Sequence, residues 1–246
     1  MSVVDAGESG SRQDRTRVLE WPGCANVRDL GGLPTADGGR IRWGALVRGD
    51  RPRAESVPAL LTHGVRLVAD LRLATECLAD PPPPVPGRRH LPVLRDEDTV
   101  LEALGDTLPA IYRVILDRGA HRFAAVLSAI AHAPPGGVLL HCHSGKDRTG
   151  LAVALALSLA GVAHDDVAAD YAVTAACLRL DDHLADLREE DVRDRSRRLF
   201  AQITAGTMLA ALAHLDARHG GAEAYLLAGG LPPADADLLR ARLTDR

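Results

Sequence analysis

The sequence contains very few residues of several common types. Of its 29 lysines and arginines only Lys146 is a lysine, Asn26 is the only asparagine, and aromatic residues make up 3% of the 246 positions. The formal net charge is -4, which provides no overall basic field, so nucleic acid and anionic membranes are not expected partners. Because nearly every cation in the chain is arginine, the single lysine draws attention to the segment around it.

Long apolar runs and paired cysteines are also missing. The longest apolar stretch, residues 151–163, is shorter than the ~20 residues that a membrane-spanning helix needs, so we expect no integral membrane association. The N-terminus lacks the apolar segment of a secretory signal. The four cysteines show no paired spacing, which suits a reducing compartment. We expect a cytoplasmic location, and secretion without a signal peptide stays open.

The pattern of strands and helices predicts one α/β domain. Residues 1–17 are polar and predict a disordered tail, followed by a single domain over 18–246. Strands are predicted at Ile41–Val47, Arg66–Leu71, His90–Leu94 and Val138–Leu140. Helices are predicted at Val57–His63, Leu101–Arg118, His121–Ala133 and Arg148–Ala160, with three or more in the C-terminal part. The proline-rich segment Asp80–Gly87 predicts a stiff extended loop. This order favours a sheet with crossover helices and extra C-terminal helices.

The segment HCHSGKDRTG, residues 141–150, concentrates the chemistry of the chain. A nucleotide-binding loop would need G-x-x-x-x-G-K-[ST], but Gly145-Lys146 is followed by Asp147, and Leu140 stands five positions before Gly145. Zinc ligands are usually two or more residues apart, with a second cluster elsewhere, whereas His141–His143 are consecutive. We therefore expect neither a metal site nor a cofactor here.

An oxyanion-binding cysteine fits this segment better. Five residues separate Cys142 from Arg148, at the junction of a buried strand and a helix N-terminus. Backbone N–H groups at such a junction bind anions, and the same field favours a thiolate. Arg148 would bind two phosphate oxygens with its planar guanidinium group, and the Thr149 hydroxyl would assist departure of the thiolate. The predicted phosphate-binding residues are His143, Ser144, Gly145, Lys146, Asp147, Arg148 and Thr149.

These residues resemble a known family. HCHSGKDRTG is similar to the signature loop of protein tyrosine and dual-specificity phosphatases, H-C-x-x-G-K-x-R-[ST]-G. The segments NVRDLGG, ALVRGD, VADLR with Glu76 downstream, and AYLLAGGLPPADADLLRARL resemble the atypical bacterial tyrosine phosphatases, over nearly all of the chain from about residue 20. The resemblance implies a phosphatase-like fold, with a central, mostly parallel sheet flanked by helices.

The resemblance also implies a metal-independent reaction in two steps. Cys142 would attack phosphorus to form a cysteinyl-phosphate, and Arg148 would stabilise the transferring group. The chain has no W-P-D tripeptide, from which the larger phosphatase families supply the general acid. In the bacterial family an aspartate of the signature loop has this role, which corresponds to Asp147. Asp70 is the alternative acid, or holds an arginine of the site, and Asp80 is a third candidate.

The substrate stays open between two classes. A loop lysine such as Lys146 is shared with phosphoinositide phosphatases, so both phosphorylated proteins and phosphoinositides are expected partners. Phosphotyrosine is the first expected substrate, with phosphoserine and phosphothreonine also possible. Arsenate reduction, sulfur transfer and phospho-group binding without catalysis are competing hypotheses. Arsenate reduction usually needs partner cysteines. A module that only binds phospho-groups would be expected to lose Cys142 or Arg148.

Overall fold

The architecture is a central sheet flanked by helices. The computed structural model describes residues 16–98, 105–184 and 188–245. The strands are β1 (Arg28–Asp29), β2 (Arg40–Ile41), β3 (Leu46–Gly49), β4 (Val65–Asp70), β5 (Arg88–His90), β6 (Gly137–His141) and β7 (Thr244–Asp245). The main sheet has the order β1-β3-β6-β4-β5, and β2 pairs with β7 in a separate two-stranded sheet.

In the main sheet the four strands β3, β6, β4 and β5 run parallel, and β1 is antiparallel to β3. Both β6 (GVLLH) and β4 (VRLVAD) are almost wholly buried. Such near-continuous apolar runs are typical of parallel strands that are covered on both faces. The mostly parallel sheet was predicted from the resemblance to phosphatases, and the structure confirms it.

The helices of the described residues follow the strands in alternation and then fill the C-terminal part. They are α1 (Val57–Thr62), α2 (Ala74–Ala79), α3 (Leu108–Ala131), α4 (Asp147–Leu159), α5 (His164–Cys177), α6 (Leu180–Leu184), α7 (Glu190–Phe200), α8 (Ala205–His219), α9 (Ala222–Ala228) and α10 (Pro233–Leu243). None of them combines the length and the apolar character that crossing a membrane requires.

Two helices place the functional residues. The alanine- and leucine-rich α4 is buried along nearly its whole length, since its first turn follows β6 and its body lies in the main core. The long α3 begins at the N-cap Thr107, whose side chain accepts a hydrogen bond from the backbone N–H of Ala110. Tyr112, near the start of α3, is completely buried beside the first turn of α4.

The structure corrects several predicted boundaries. A single strand over Ile41–Val47 was wrong, because the chain turns at residues 43–45, where Gly44 has φ +76° and its N–H donates to Asp29. The strand predicted at His90–Leu94 is instead β5 at Arg88–His90, so it begins earlier, is shorter and ends at His90. The pair of helices predicted between residues 101 and 133 is one helix, α3, within the described part. Its glycine at 119 lies within the helix, where Phe123 packs over that position.

The predicted N-terminal tail lies mostly outside the described residues, which begin at 16. The part of the predicted helix Leu101–Arg118 before residue 105 is outside them as well. Arg17, which was assigned to the tail, already contacts the domain: its carbonyl accepts a hydrogen bond from the Asp29 N–H at 2.8 Å, and its guanidinium lies 3.3 Å from Asp170.

Candidate active site

The signature loop lies at the carboxyl edge of the parallel sheet. Gly49 at the end of β3 and Asp70 at the end of β4 are both in register with His141 at the end of β6. Loops that follow the carboxyl ends of parallel strands are the usual ligand-binding positions in open α/β sheets. Residues 142–146 form such a loop, and α4 begins immediately afterwards at Asp147.

Cys142 is the first residue of this loop and is 2% exposed. A second buried group lies on the first turn of α4, where the Thr149 hydroxyl has no hydrogen-bond partner among the described residues. A buried polar atom without a partner is uncommon and calls for an explanation, such as a ligand that completes its bonding. The first turn of α4 also has backbone N–H groups without intrahelical partners, as every helix N-terminus does. This end of the loop therefore offers several donors for one anion.

Arg148 is oriented by Glu76. Its Nη2 donates to Glu76 Oε1 at 2.8 Å, and its Nη1 donates to Oε2. Glu76 itself accepts a hydrogen bond from the N–H of Leu73 at 2.7 Å, which fixes it at the start of α2. Burial opposes ionisation of Glu76, but its hydrogen bonds to Arg148 hold its pKa below the usual value. The pair of parallel hydrogen bonds fixes the orientation of the guanidinium plane at the start of α4.

Gly145 lets the loop pass close to the neighbouring strand. Its φ is +71°, and a Cβ at this position would lie 2.4 Å from the carbonyl oxygen of Gly49. Both the left-handed backbone and the close approach exclude a larger residue. The loop therefore packs directly on the end of β3.

A network of buried polar and charged side chains holds the loop through its backbone carbonyls. Asn26 donates to the carbonyl of Ser144 at 3.0 Å, and Arg48 donates to the carbonyl of Gly145 at 2.9 Å. Arg48 and Arg28 in turn share Asp170, at 2.8 and 2.9 Å, and the three side chains are at most 1% exposed. Burial opposes ionisation of Asp170, but the two arginines lower its pKa, so that it remains a carboxylate. The network fixes two consecutive carbonyls of the loop.

Two histidines, His141 at the end of β6 and His143 in the loop, are held neutral. Burial lowers the pKa of His141 to about 4, despite the opposing effect of Asp70, and its Nδ1 lies 3.0 Å from the carbonyl of Cys142. Burial and then the neighbouring Arg51 lower the pKa of His143 to about 4, with Arg51 Nη1 2.9 Å from His143 Nε2. Both imidazoles are therefore uncharged at neutral pH, and each has a polar partner that fixes its ring.

Asp147 directly follows the loop in the sequence, and its side chain is 26% exposed. Its Oδ1 accepts a 2.7 Å hydrogen bond from Tyr112, whose hydroxyl also lies 2.6 Å from that of Tyr171. Burial and the nearby carboxylate raise the pKa of Tyr112 well above its usual value, so it stays a donor. The Lys146 ammonium lies 3.5 Å from Asp147 Oδ2.

Asp70 has a different environment. It is completely buried, and its carboxylate accepts hydrogen bonds from Arg72 and Arg88, both with closest distances of 2.9 Å. Burial opposes ionisation, but these arginines hold its pKa far below the usual value. Asp80 is 38% exposed at its side chain and pairs with Arg51 and Arg53.

Comparison with known proteins decides the family. The model of the tyrosine phosphatase family matches residues 19–245, which includes every residue described above from the strands and loop. The chain belongs to the tyrosine phosphatase family. The resemblance noted from the signature loop and its flanking segments is thereby confirmed.

Three curated relatives of this phosphatase carry related names. A tyrosine-protein phosphatase of Nostoc commune is 31% identical over 98% of this chain and 82% of its own length. A protein of Cupriavidus necator that is provisionally named a tyrosine-protein phosphatase is 35% identical over 69% of this chain and 67% of its own. The triple specificity protein phosphatase PtpB of Mycobacterium tuberculosis is 29% identical over 70% of this chain and 72% of its own.

The structure of the phosphatase brings the residues predicted at positions 142–149 into one loop and one helix turn, and places Asp70 on the adjacent strand. Sequence reasoning missed the supporting residues, namely Arg48, Arg72, Arg88, Tyr112 and Asp170. The available signal in the sequence was an arginine, Arg48, directly after the apolar residues Leu46 and Val47. A charge inside an apolar strand needs a buried partner. Asp170 and Tyr112 lie on helices distant in sequence, and nothing local marks them.

Proposed function

We propose that this chain hydrolyses phosphomonoesters, with phosphotyrosine in proteins as the first substrate, through a cysteinyl-phosphate on Cys142 and without a metal ion. The observation that carries the proposal is the arrangement of the loop: a buried cysteine at its start, an oriented Arg148 at its end, and a glycine that packs it on β3. This arrangement supplies a nucleophile and a fixed cation to one phosphoryl group.

In the first step the Cys142 thiolate attacks phosphorus in line with the leaving oxygen. The S–P bond forms as the P–O bond to the tyrosine breaks, and charge accumulates on the equatorial oxygens. Arg148 and the backbone N–H groups at the start of α4 bind those oxygens. Asp147, in its protonated form, gives its proton to the leaving phenolate, so that neutral tyrosine departs.

In the second step water attacks the same phosphorus. Asp147, now a carboxylate, accepts a proton from the water as the O–P bond forms. The S–P bond breaks, inorganic phosphate leaves, and Cys142 returns as a thiolate. The Thr149 hydroxyl, which has no hydrogen-bond partner within the described part of the chain, is the group we assign to the departing thiolate, to which it would donate a hydrogen bond.

The environments of the two aspartates support Asp147 as the acid. The Asp147 side chain is partly exposed beside the loop, whereas Asp70 is fully buried. Arg72 and Arg88 saturate the Asp70 carboxylate, which makes a proton on it unfavourable. We propose that Asp70 holds these two arginines in place at the sheet edge, one of the two roles considered from the sequence.

The position of Lys146 bears on substrate class. Its side chain is 8% exposed and faces Asp147, so its charge is already engaged within the protein. We propose that it balances the Asp147 carboxylate during the reaction. This favours a phosphoprotein over a substrate that needs a second phosphate contact. One relative is named a triple specificity phosphatase, so phosphoserine and phosphothreonine belong in any substrate panel, as do phosphoinositides.

The test is hydrolysis in the presence of a chelator, with a phosphotyrosine peptide, a phosphoserine peptide and a phosphoinositide as parallel substrates. We expect fastest release of phosphate from phosphotyrosine and no turnover by Cys142→Ser. Asp147→Asn should remove the basic limb of the pH–rate profile, whereas Asp70→Asn should reduce stability and keep that limb. Turnover that survives Cys142→Ser, or that stops on chelation, would contradict the proposed mechanism.

A further inference from the structure

A second group of reactive side chains lies between α3 and α8. It consists of Asp117 on α3 and of His214 and His219 on the last turns of α8, and we call it the α3–α8 cluster. His214 Nε2 is 2.8 Å from Asp117 Oδ1, and His219 Nε2 is 3.7 Å from the same oxygen. The three potential ligand atoms all lie within 4.8 Å of one another.

His219 carries the most informative atom of the cluster. Its Nε2 is buried and has no hydrogen-bond partner among the described residues, although it faces the Asp117 carboxylate. The ring is fixed by edge contacts with Tyr225, whose centroid is 5.1 Å away, and with His214 at 6.2 Å. A fixed ring nitrogen without a partner, directed at a carboxylate and a second imidazole, is in the position of a metal ligand.

The donor set selects the class of ion. Two imidazole nitrogens and one carboxylate oxygen suit Zn²⁺ and related transition metals, whereas Mg²⁺ and Ca²⁺ prefer oxygen ligands alone. Ligand bonds of about 2.0–2.2 Å in a tetrahedral site place ligand atoms roughly 3.3–3.6 Å apart. From Asp117 Oδ1 the two imidazole nitrogens lie 2.8 and 3.7 Å away, on either side of that range, and all three ligand atoms lie within 4.8 Å of one another, so side-chain shifts are needed to complete the geometry.

We propose that Asp117, His214 and His219 bind one divalent transition metal ion of the Zn²⁺ type, which joins α3 to α8. The cluster shares no residue with the loop at 142–146 or the helix turn that follows it, and the ion takes no part in the proposed hydrolysis. The sequence predicted no metal-binding residue, because Asp117 stands 97 positions before His214 and only the packing of the two helices brings them together.

Arg218 gives the proposal a distinctive consequence. Its Nε lies 3.2 Å from Asp117 Oδ1, on a side chain that is 62% exposed. This guanidinium competes with a cation for the same oxygen and can move into solvent when an ion binds. Removal of Arg218 should therefore strengthen metal binding, whereas loss of an ordinary stabilising residue would not.

The experiment uses the full chain with Cys142→Ser, because the active-site thiolate would otherwise compete for soft metals. Chelator-treated protein is titrated with Zn²⁺ by calorimetry and with Co²⁺ by visible absorption. We expect one ion per chain, with ligand-field bands indicating nitrogen ligands. His214→Gln and His219→Gln should each weaken binding by about 10-fold or more, and Arg218→Ala should tighten it. The exposed His121→Gln is the matched control and should change nothing.

A second measurement covers variants that fold poorly. Saturating Zn²⁺ should raise the melting temperature of the parent chain and of Arg218→Ala, but not that of His219→Gln. The absence of saturable binding would overturn the proposal, and so would equal binding by the His219→Gln and His121→Gln variants. Either result would leave the cluster as an ion pair only. None of these readouts measures catalysis, so they test the metal site independently of the proposed phosphatase mechanism.

Discussion

The Tyr112 hydroxyl donates a 2.7 Å hydrogen bond to Oδ1 of Asp147, across the contact between α3 and the first turn of α4. A donor to a carboxylate stabilises its ionised form, and Asp147 needs to exchange a proton with substrate and water in the proposed reaction. The buried tyrosine is thus a positioning residue, because its hydrogen bond fixes the direction of the Asp147 carboxylate.

Tyr112→Phe removes this donor and keeps the ring. Asp147 loses the bond that fixes the direction of its carboxylate, so we expect kcat to fall while KM stays nearly unchanged. Tyr171→Phe is the matched control, since within the described part of the chain the Tyr171 hydroxyl is hydrogen-bonded to Tyr112 and not to Asp147. An equal fall of kcat in both variants, or no fall in either, would show that Tyr112 does not position the acid.

Glu76→Gln tests the orientation of Arg148. Glutamine keeps an oxygen for the Leu73 N–H but weakens the paired hydrogen bonds to the guanidinium. We expect kcat/KM to fall by about 10-fold or more, because misplacement of a catalytic group by ~1 Å can cost 10²-fold. Steady-state kinetics measures this change. Glu97→Gln, at an exposed pair with Arg95, is the control and should leave kcat/KM unchanged. Parent-like kinetics in Glu76→Gln would refute the positioning role.

Gly145→Ala tests the close packing of the loop on β3. The new Cβ would meet the Gly49 carbonyl at 2.4 Å and strain a backbone with φ +71°, so we expect loss of activity together with a lower melting temperature. Gly38→Ala has a similar φ, +85°, with no atom within 4 Å of the added Cβ. It should cost only about 1–2 kcal/mol of conformational strain and retain activity. Comparable activity in the two variants would argue against a tightly packed loop.

The burial of His141 predicts that the stability of the folded protein depends on pH. Burial lowers its folded pKa to about 4, against an ordinary value of 6.5, so the unfolded chain binds a proton that the folded chain excludes between these pH values. The free energy of unfolding should therefore fall as pH drops from 6.5 towards 4, by up to about 1.4 kcal/mol per pH unit from this group. Denaturant unfolding at a series of pH values measures the slope.

His141→Asn should reduce that slope, since asparagine keeps a donor for the Cys142 carbonyl and does not titrate. The exposed His121→Asn should not alter it. The opposite sign, with stability rising as pH falls from 6.5 to 4, would mean that His141 is charged in the folded protein.

The sequence was most informative where the chemistry is local. Cys142, Gly145 and Arg148 could be selected because their spacing, between an apolar strand and a helix, is itself the geometry of an anion site. Prediction was weakest where a bend in the chain, or a contact with a residue distant in sequence, determines the structure. The turn at Trp43–Ala45 depends on Asp29, which accepts the N–H of Gly44, and a strand-like pattern does not reveal this bond.

The buried charge network below the loop could not be predicted from the sequence for the same reason. Asp170 lies 142 positions after Arg28, and the two meet only because α5 packs beside the sheet. Breaking such a buried pair typically costs about 3–5 kcal/mol, yet neither partner stands in a recognisable motif. The contrast between Asp147 and Asp70 likewise came from their partners, since the sequence shows two aspartates and not the arginines that surround one of them.

The central claim is that phosphate passes through the sulfur of Cys142, and rapid acid quenching followed by peptide mass analysis tests it most directly. Protein mixed with a phosphotyrosine substrate and quenched during turnover should carry one phosphoryl group on the peptide that contains Cys142. The label should accumulate in Asp147→Asn with an activated aryl phosphate, because hydrolysis of the intermediate is slowed more than its formation. A phosphoryl group on any other residue, or undiminished turnover by Cys142→Ser with no intermediate, would contradict the account.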